Sequence, residues 1–180
     1  MMAIERHLSL VEEILGGFKE VIGVDFNAYR NHVYRVANLC YAAGDFDGEA
    51  KEKIQIAACF HDIGIWTAKT LDYLPPSRNE AEKYLTHIGK ASWASEVGEM
   101  IEMHHRTRSC ADSPYPLVQA FRRADVADFS LGLVRMGLPR RLITELKEAF
   151  PNRGFHLRLV KLGSAWFIKH PLNPLPMFRP

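Results

Sequence analysis

His61 and Asp62 stand side by side at the end of an apolar stretch, IQIAACF, at residues 54–60. A helix entering a core should not end in an imidazole and a carboxylate, because an unpaired buried charge is very costly. Helical neighbours lie three and four positions apart. On that spacing His61 continues the stripe Ile54, Ala57 and Ala58, and Asp62 follows four residues after Ala58. His32 lies on the stripe Tyr29, Val33, Val36 and Cys40. His104 shares a face with Val97 and Ile101, and Asp125 shares one with Leu117, Phe121, Ala124 and Asp128. His32, His61, Asp62 and Asp125 together offer two imidazoles and two carboxylates, a hard-to-borderline donor set for a divalent metal. A buried His–Asp hydrogen-bonded network would use the same residues, and spacing alone weighs the two evenly.

The elements that must position these groups are helical nearly throughout. The pattern predicts helices over about 3–16, from Asp25 or Asn27 to Gly44, and from Asp47 to His61. The stretch IGIWTAKTLDYLPPS, with Gly64, Pro75 and Pro76, reads as a loop. Ser77 followed by Glu80 forms a capping-box pattern for a helix ending near Gly89. Further helices are expected over 92–105, 116–131, 139–150 and 153–169, the last with a break risk at Gly163. The fold class is therefore all-α: a single helical bundle over residues 1–170, followed by a Pro-rich, extended tail over 171–180.

Bulk properties narrow the function. The chain has 180 residues, 47% apolar and 24% charged, as expected of a globular domain. A net charge of +2 is too small to argue for nucleic acid or an anionic membrane. No apolar run approaches a membrane span, and the N-terminal MMAIERHLSLVEE has no export-signal core. Cys40, Cys59 and Cys110 are odd in number and widely spaced, and Cys40 and Cys59 sit in apolar helical stretches, which fits small core thiols in a reducing, cytoplasmic setting. Phe155, Leu157, Leu159, Trp166 and Phe167 make the last helix apolar, which fits packing on the same chain or a homo-oligomer.

The order of these residues resembles the HD-domain superfamily of metal-dependent phosphohydrolases. The likeness rests on His32 in RNHVYRV, His61-Asp62 in FHDIG, and Asp125 in FRRADVADF, and covers about residues 25–131. It implies a helical bundle of the HD type, with His32, His61, Asp62 and Asp125 holding a divalent ion. His87 in YLTHIGK and His104-His105 in IEMHHRT resemble the added histidines of two-metal HD phosphodiesterases. By that likeness His87 and His104 would hold a second ion bridged by Asp62, with His105 left undecided. The chain departs from the cyclic-di-GMP enzymes, because Ile65 follows HDIG and no GYP follows the paired histidines.

The activity implied is hydrolysis of a small phosphorylated substrate, such as a phosphate ester or a nucleotide, by metal-activated water. One or two ions of Fe, Mn, Zn, Co or Ni would suit the donors. Asp62 is the central catalytic candidate. Arg122 is the phosphate-binding candidate, one helical turn from Asp125, ahead of Arg106, Arg108 and Arg123. Trp66 or Tyr73 could wall the substrate pocket, with Lys69 as a weaker phosphate ligand. Two alternatives stand beside this: a di-iron oxygenase of the HD type, and a non-catalytic domain that binds a nucleotide or a partner protein.

Overall fold

The computed structural model describes residues 3–106, 108–173 and 175–178. Among them there is no strand. The helices are α1 (Ser9–Gly17), α2 (Lys19–Ile22), α3 (Phe26–Tyr41), α4 (Gly48–Phe60), α5 (Gly64–Thr67), α6 (Leu74–His87), α7 (Ala94–Met103), α8 (Pro116–Phe129), α9 (Arg140–Ala149) and α10 (Phe155–Lys169). None is long and apolar enough to cross a membrane.

Helix α3 is the axis of the bundle. Every residue from Asn31 to Tyr41 is buried, and α3 packs against α4, α8, α9 and α10. A helix buried all round must satisfy its polar side chains inside the protein. The Tyr29 hydroxyl donates to the Cys59 carbonyl at 2.8 Å. Asn31 donates to the Pro151 carbonyl at 2.7 Å. Asn38 accepts from the Glu5 amide at 2.8 Å and donates to its carbonyl at 3.1 Å. The polar groups of α3 thus fasten the N-terminal segment, α4 and the α9–α10 connection to one axis.

Helix α4 starts as its sequence predicts: the Asp47 side chain accepts from the Ala50 amide at 2.8 Å, which satisfies one unpaired donor of the first turn. The FHDIG segment then turns without a long loop. The His61 amide continues the helix by donating to Ala57, and the Ile65 amide donates to Asp62. The short helix α5 follows, inside the stretch expected to be a loop.

Helix α6 begins four residues earlier than a Ser77 cap would have it, at Leu74, with both prolines in its first turn. A proline there loses nothing, because the first-turn amides have no helical partner. Ser77 is therefore not a cap. It is buried within α6, and its hydroxyl accepts from the Gly64 amide at 2.9 Å. A Cβ on Gly64 would stand 2.5 Å from the Tyr73 carbonyl oxygen and 3.0 Å from Ser77 Oγ. Gly64 is what lets α5 lie against the start of α6 and brings Tyr73 to the site.

Helix α10 runs unbroken through Gly163 and buries only Phe155 in full, leaving Leu157, Val160, Phe167 and Ile168 exposed. It starts after Gly154, whose φ of +86° favours glycine. Cys40 and Cys59 are buried and Cys110 is half-buried; all three are free thiols.

Candidate metal centre

Two helices and two turns deliver the polar residues to one place. His32 comes from the middle of α3, and His61 and Asp62 from the turn after α4. His104 and His105 follow α7, and Asp125 comes from α8. His32, His61, Asp62, His104 and Asp125 are each at most 4% exposed.

Three imidazoles share one orientation rule. The His61 Nδ1–H donates to the Ala58 carbonyl at 2.8 Å. His104 does the same to the Ile101 carbonyl at 2.6 Å. The His32 Nδ1–H donates to Asp128 Oδ2 at 2.7 Å. A neutral ring carries one N–H, so each Nε2 is left with a bare lone pair.

Those lone pairs point at carboxylates and at each other. His32 Nε2 and His61 Nε2 are 2.9 Å apart. His32 Nε2 lies 3.5 Å from Asp125 Oδ1 and 3.8 Å from Asp62 Oδ2. His61 Nε2 lies 3.4 Å from Asp62 Oδ2 and 3.7 Å from Asp125 Oδ1. Acceptors facing acceptors repel unless a cation lies between them. Ligands about 2.1 Å from one ion stand about 3.0 Å apart at right angles and about 3.4 Å apart at tetrahedral angles. The observed separations of 2.9 to 3.8 Å are close to those expected of ligands on a single ion.

A second gap opens on the other side of Asp62. Its Oδ1 lies 3.5 Å from His104 Nε2. Among the described residues, these two atoms are the buried side-chain polar atoms without a hydrogen bond. Asp62, His104 and His105 each bring a ligand atom within 4.8 Å of the others, as do His32, His61 and Asp62. Asp62 therefore presents one oxygen to each gap.

Charge gives the same answer. Asp128 is matched by Arg35, whose Nε and Nη2 donate to its two oxygens at 2.6 and 2.9 Å. Arg35 Nη1 donates to the Phe150 carbonyl at 2.7 Å. Asp62 and Asp125 have no such partner, so two buried carboxylates among imidazoles call for positive charge. Burial pushes His61 down to about 3, so it stays neutral. Burial would raise Asp62, but His61 first, then His104 and His32, hold it well below the usual carboxylate range. Burial pushes Asp125 up to about 6, against the pull of His104 and His32. Burial lowers His104, but Asp62 and Asp125 more than offset it and raise it above its ordinary value. A proton and a metal ion thus contend for the gap between His104 and Asp62.

The structure does not bring His87 here. It is exposed at the C-terminal end of α6, beside Glu82, Lys83 and Thr86. The fourteen residues of α6 put it about 20 Å along the helix from the end near the site. His105 stands in the cluster instead, hydrogen-bonded to the Tyr73 hydroxyl. Helical rotation would aim His105 away from His104, but α7 ends at Met103, so the pair sits in a turn. Arg122 is buried, and its groups donate to the Arg106 carbonyl at 3.0 Å and to Gln119 at 3.1 Å. It holds the turn after His105 and does not line the cavity described next.

Two supports were not assigned from the sequence: the Arg35–Asp128 pair, and Phe155, which stacks on His32 with ring centres 4.4 Å apart. A signal for the first existed. Arg35 follows His32 by three residues and Asp128 follows Asp125 by three, one turn along each helix.

The cluster opens onto a cavity of about 450 Å³. His32, Asp62, His105 and Asp125 form its floor. Tyr73 walls it, as expected, whereas Trp66 packs on Tyr29 and donates to Asp25. Leu159, Val160, Leu175 and Met177 close the other side. A separate cavity of about 510 Å³, holding Lys69, Trp166 and Lys169, contains none of the cluster.

No curated protein and no solved structure matches the chain significantly. A family model described as HD domain matches residues 29–130, the span that carries His32, His61-Asp62, His104-His105 and Asp125. The chain belongs to the HD domain family.

Proposed function

We propose that this protein is a metal-dependent phosphohydrolase that cleaves a phosphate ester. The observation that carries it is the set of bare, buried acceptors converging on two gaps that share Asp62. His32, His61, Asp62 and Asp125 would hold one divalent ion, and Asp62, His104 and His105 a second. Such ions polarise a phosphoryl oxygen and lower the pKa of water toward neutrality.

The chain's own residues do the rest. The Nδ1 bonds to Ala58, Ile101 and Asp128 fix the three rings before anything binds, so little reorganisation remains. Burial, followed by the charge of Asp62, raises Tyr73 well above the usual phenol range. Its hydroxyl therefore keeps a proton to donate at the cavity wall. Arg122 positions the turn that carries His104 and His105. Phe155 covers one face of the His32 ring, on which it stacks.

The test is phosphate release from a panel of phosphate esters by the metal-loaded protein. Activity is expected, and Asp125→Asn should lower kcat/KM by about 100-fold or more. A second reading, a di-iron oxygenase, is favoured by one feature: no Lys or Arg among the described residues lines the cavity. Oxygen uptake by the iron-loaded protein, with no phosphate released from any ester, would replace the first reading with the second.

A further inference from the structure

The cavity above the cluster is built for an apolar group. Leu71, Tyr73, Phe129, Phe155, Leu159 and Val160 supply most of its wall. Away from the floor, its polar groups among the described residues are the Tyr73 hydroxyl, already hydrogen-bonded to His105, and the side chains of His156 and Ser164. The His156 Nε2–H donates to the Phe129 carbonyl at 2.8 Å, so that group is already used.

Four arginines near the site are committed elsewhere. Arg35 is spent on Asp128 and Phe150, and Arg122 on Arg106 and Gln119. Arg123 donates to the Met136 carbonyl at 2.8 Å. Arg158 points to Asp25 at 2.9 Å, outside this cavity. The floor itself carries two unmatched carboxylates. A nucleoside di- or triphosphate would bring three or four negative charges into a space that no Lys or Arg among the described residues lines. A single phosphoryl group can be met by the ions that the floor would hold, and the rest of the substrate must then match an apolar wall.

From this wall we infer that the substrate is a phosphate monoester of an apolar alcohol, aryl or branched alkyl, with the apolar part against Leu159, Val160 and Phe155. This rests on the phosphohydrolase reading for the phosphoryl group, and adds the identity of the other half of the substrate. It also sets nucleotides aside.

Binding of non-hydrolysable phosphonates to the metal-loaded protein tests it by calorimetry, without turnover. Benzylphosphonate should bind at least about 20-fold more tightly than methylphosphonate, in keeping with burial of one aromatic group. AMP should bind no better than methylphosphonate. Leu159→Asn should weaken benzylphosphonate about 10-fold and leave methylphosphonate within 2-fold. Val160 is 63% exposed, so Val160→Asn leaves the fold intact and should show the same selectivity at about 3-fold. If benzyl- and methylphosphonate bind within 3-fold of each other, or AMP binds tightest, the inference falls and the hydrolase reading stands. If the protein holds metal yet binds no phosphonate and hydrolyses no ester, both fall.

Discussion

On the bundle side of the cavity, His32, His61 and His104 each have one ring nitrogen tied to a fixed acceptor, and Asp128 is gripped by Arg35. On the α10 side, Leu159 and Val160 face the same space from a helix that buries only Phe155 in full. The bundle side is a network in which removing one member strands another. The α10 side is a surface whose residues can change one at a time. The two sides differ in what they can tolerate: under the proposed function the chemistry would belong to the buried network, and the choice of substrate to the lightly packed wall. A wall of that kind can vary without disturbing the donors beneath it.

The contrast can be broken at several points. The largest effect is expected for Asp128→Ala, which strands the buried Arg35 guanidinium and should cost about 3–5 kcal/mol. Urea unfolding measures it, and a loss below about 1 kcal/mol would mean that Arg35 finds water or another partner. The gentler Asp128→Asn should weaken metal binding about 10–100-fold, because His32 loses its charged orienting group. Next comes Gly64→Ala, expected to cost about 1–3 kcal/mol as the new methyl meets the Tyr73 backbone. That shift should also displace Tyr73, visible as a fall in kcat. Val160→Asn on the opposite wall should change stability by no more than about 0.5 kcal/mol. His87→Ala should be equally mild and should leave the metal content unchanged, which a metal assay on the purified variant decides. The smallest effect is chemical: Cys110 should react with a thiol reagent in the native state, whereas Cys40 and Cys59 should react only on unfolding. Burial pushes the Cys40 thiol well above its ordinary range and does the same to Cys59.

Much of the bundle side was legible in the sequence, because helical spacing reports which face a residue shares. That put His32, His61 and Asp125 on buried stripes before any contact was known. It also singled out the HDIG turn, although not why it needs a glycine. His87 shows the limit. Spacing places a residue on a face of its helix but says nothing of how far along that helix the site lies. Ser77 shows another: a Ser-x-x-Glu pattern signals a cap only where a helix begins, and two prolines let α6 begin earlier. His105 escaped because the argument from helical rotation stops where the helix stops. The α10 wall was legible only as apolar sequence, since nothing in its spacing reveals which cavity it closes.

The most direct measurement is the divalent metal bound per chain, by elemental analysis, in the wild type and in Asp62→Ala, with circular dichroism confirming that both are folded. Asp62 offers one oxygen to each gap. The wild type is expected to retain stoichiometric metal, and Asp62→Ala, still helical, to lose nearly all of it. Equal metal content in the two folded proteins, or none in the wild type after exposure to Fe, Mn, Zn, Co and Ni, would contradict this.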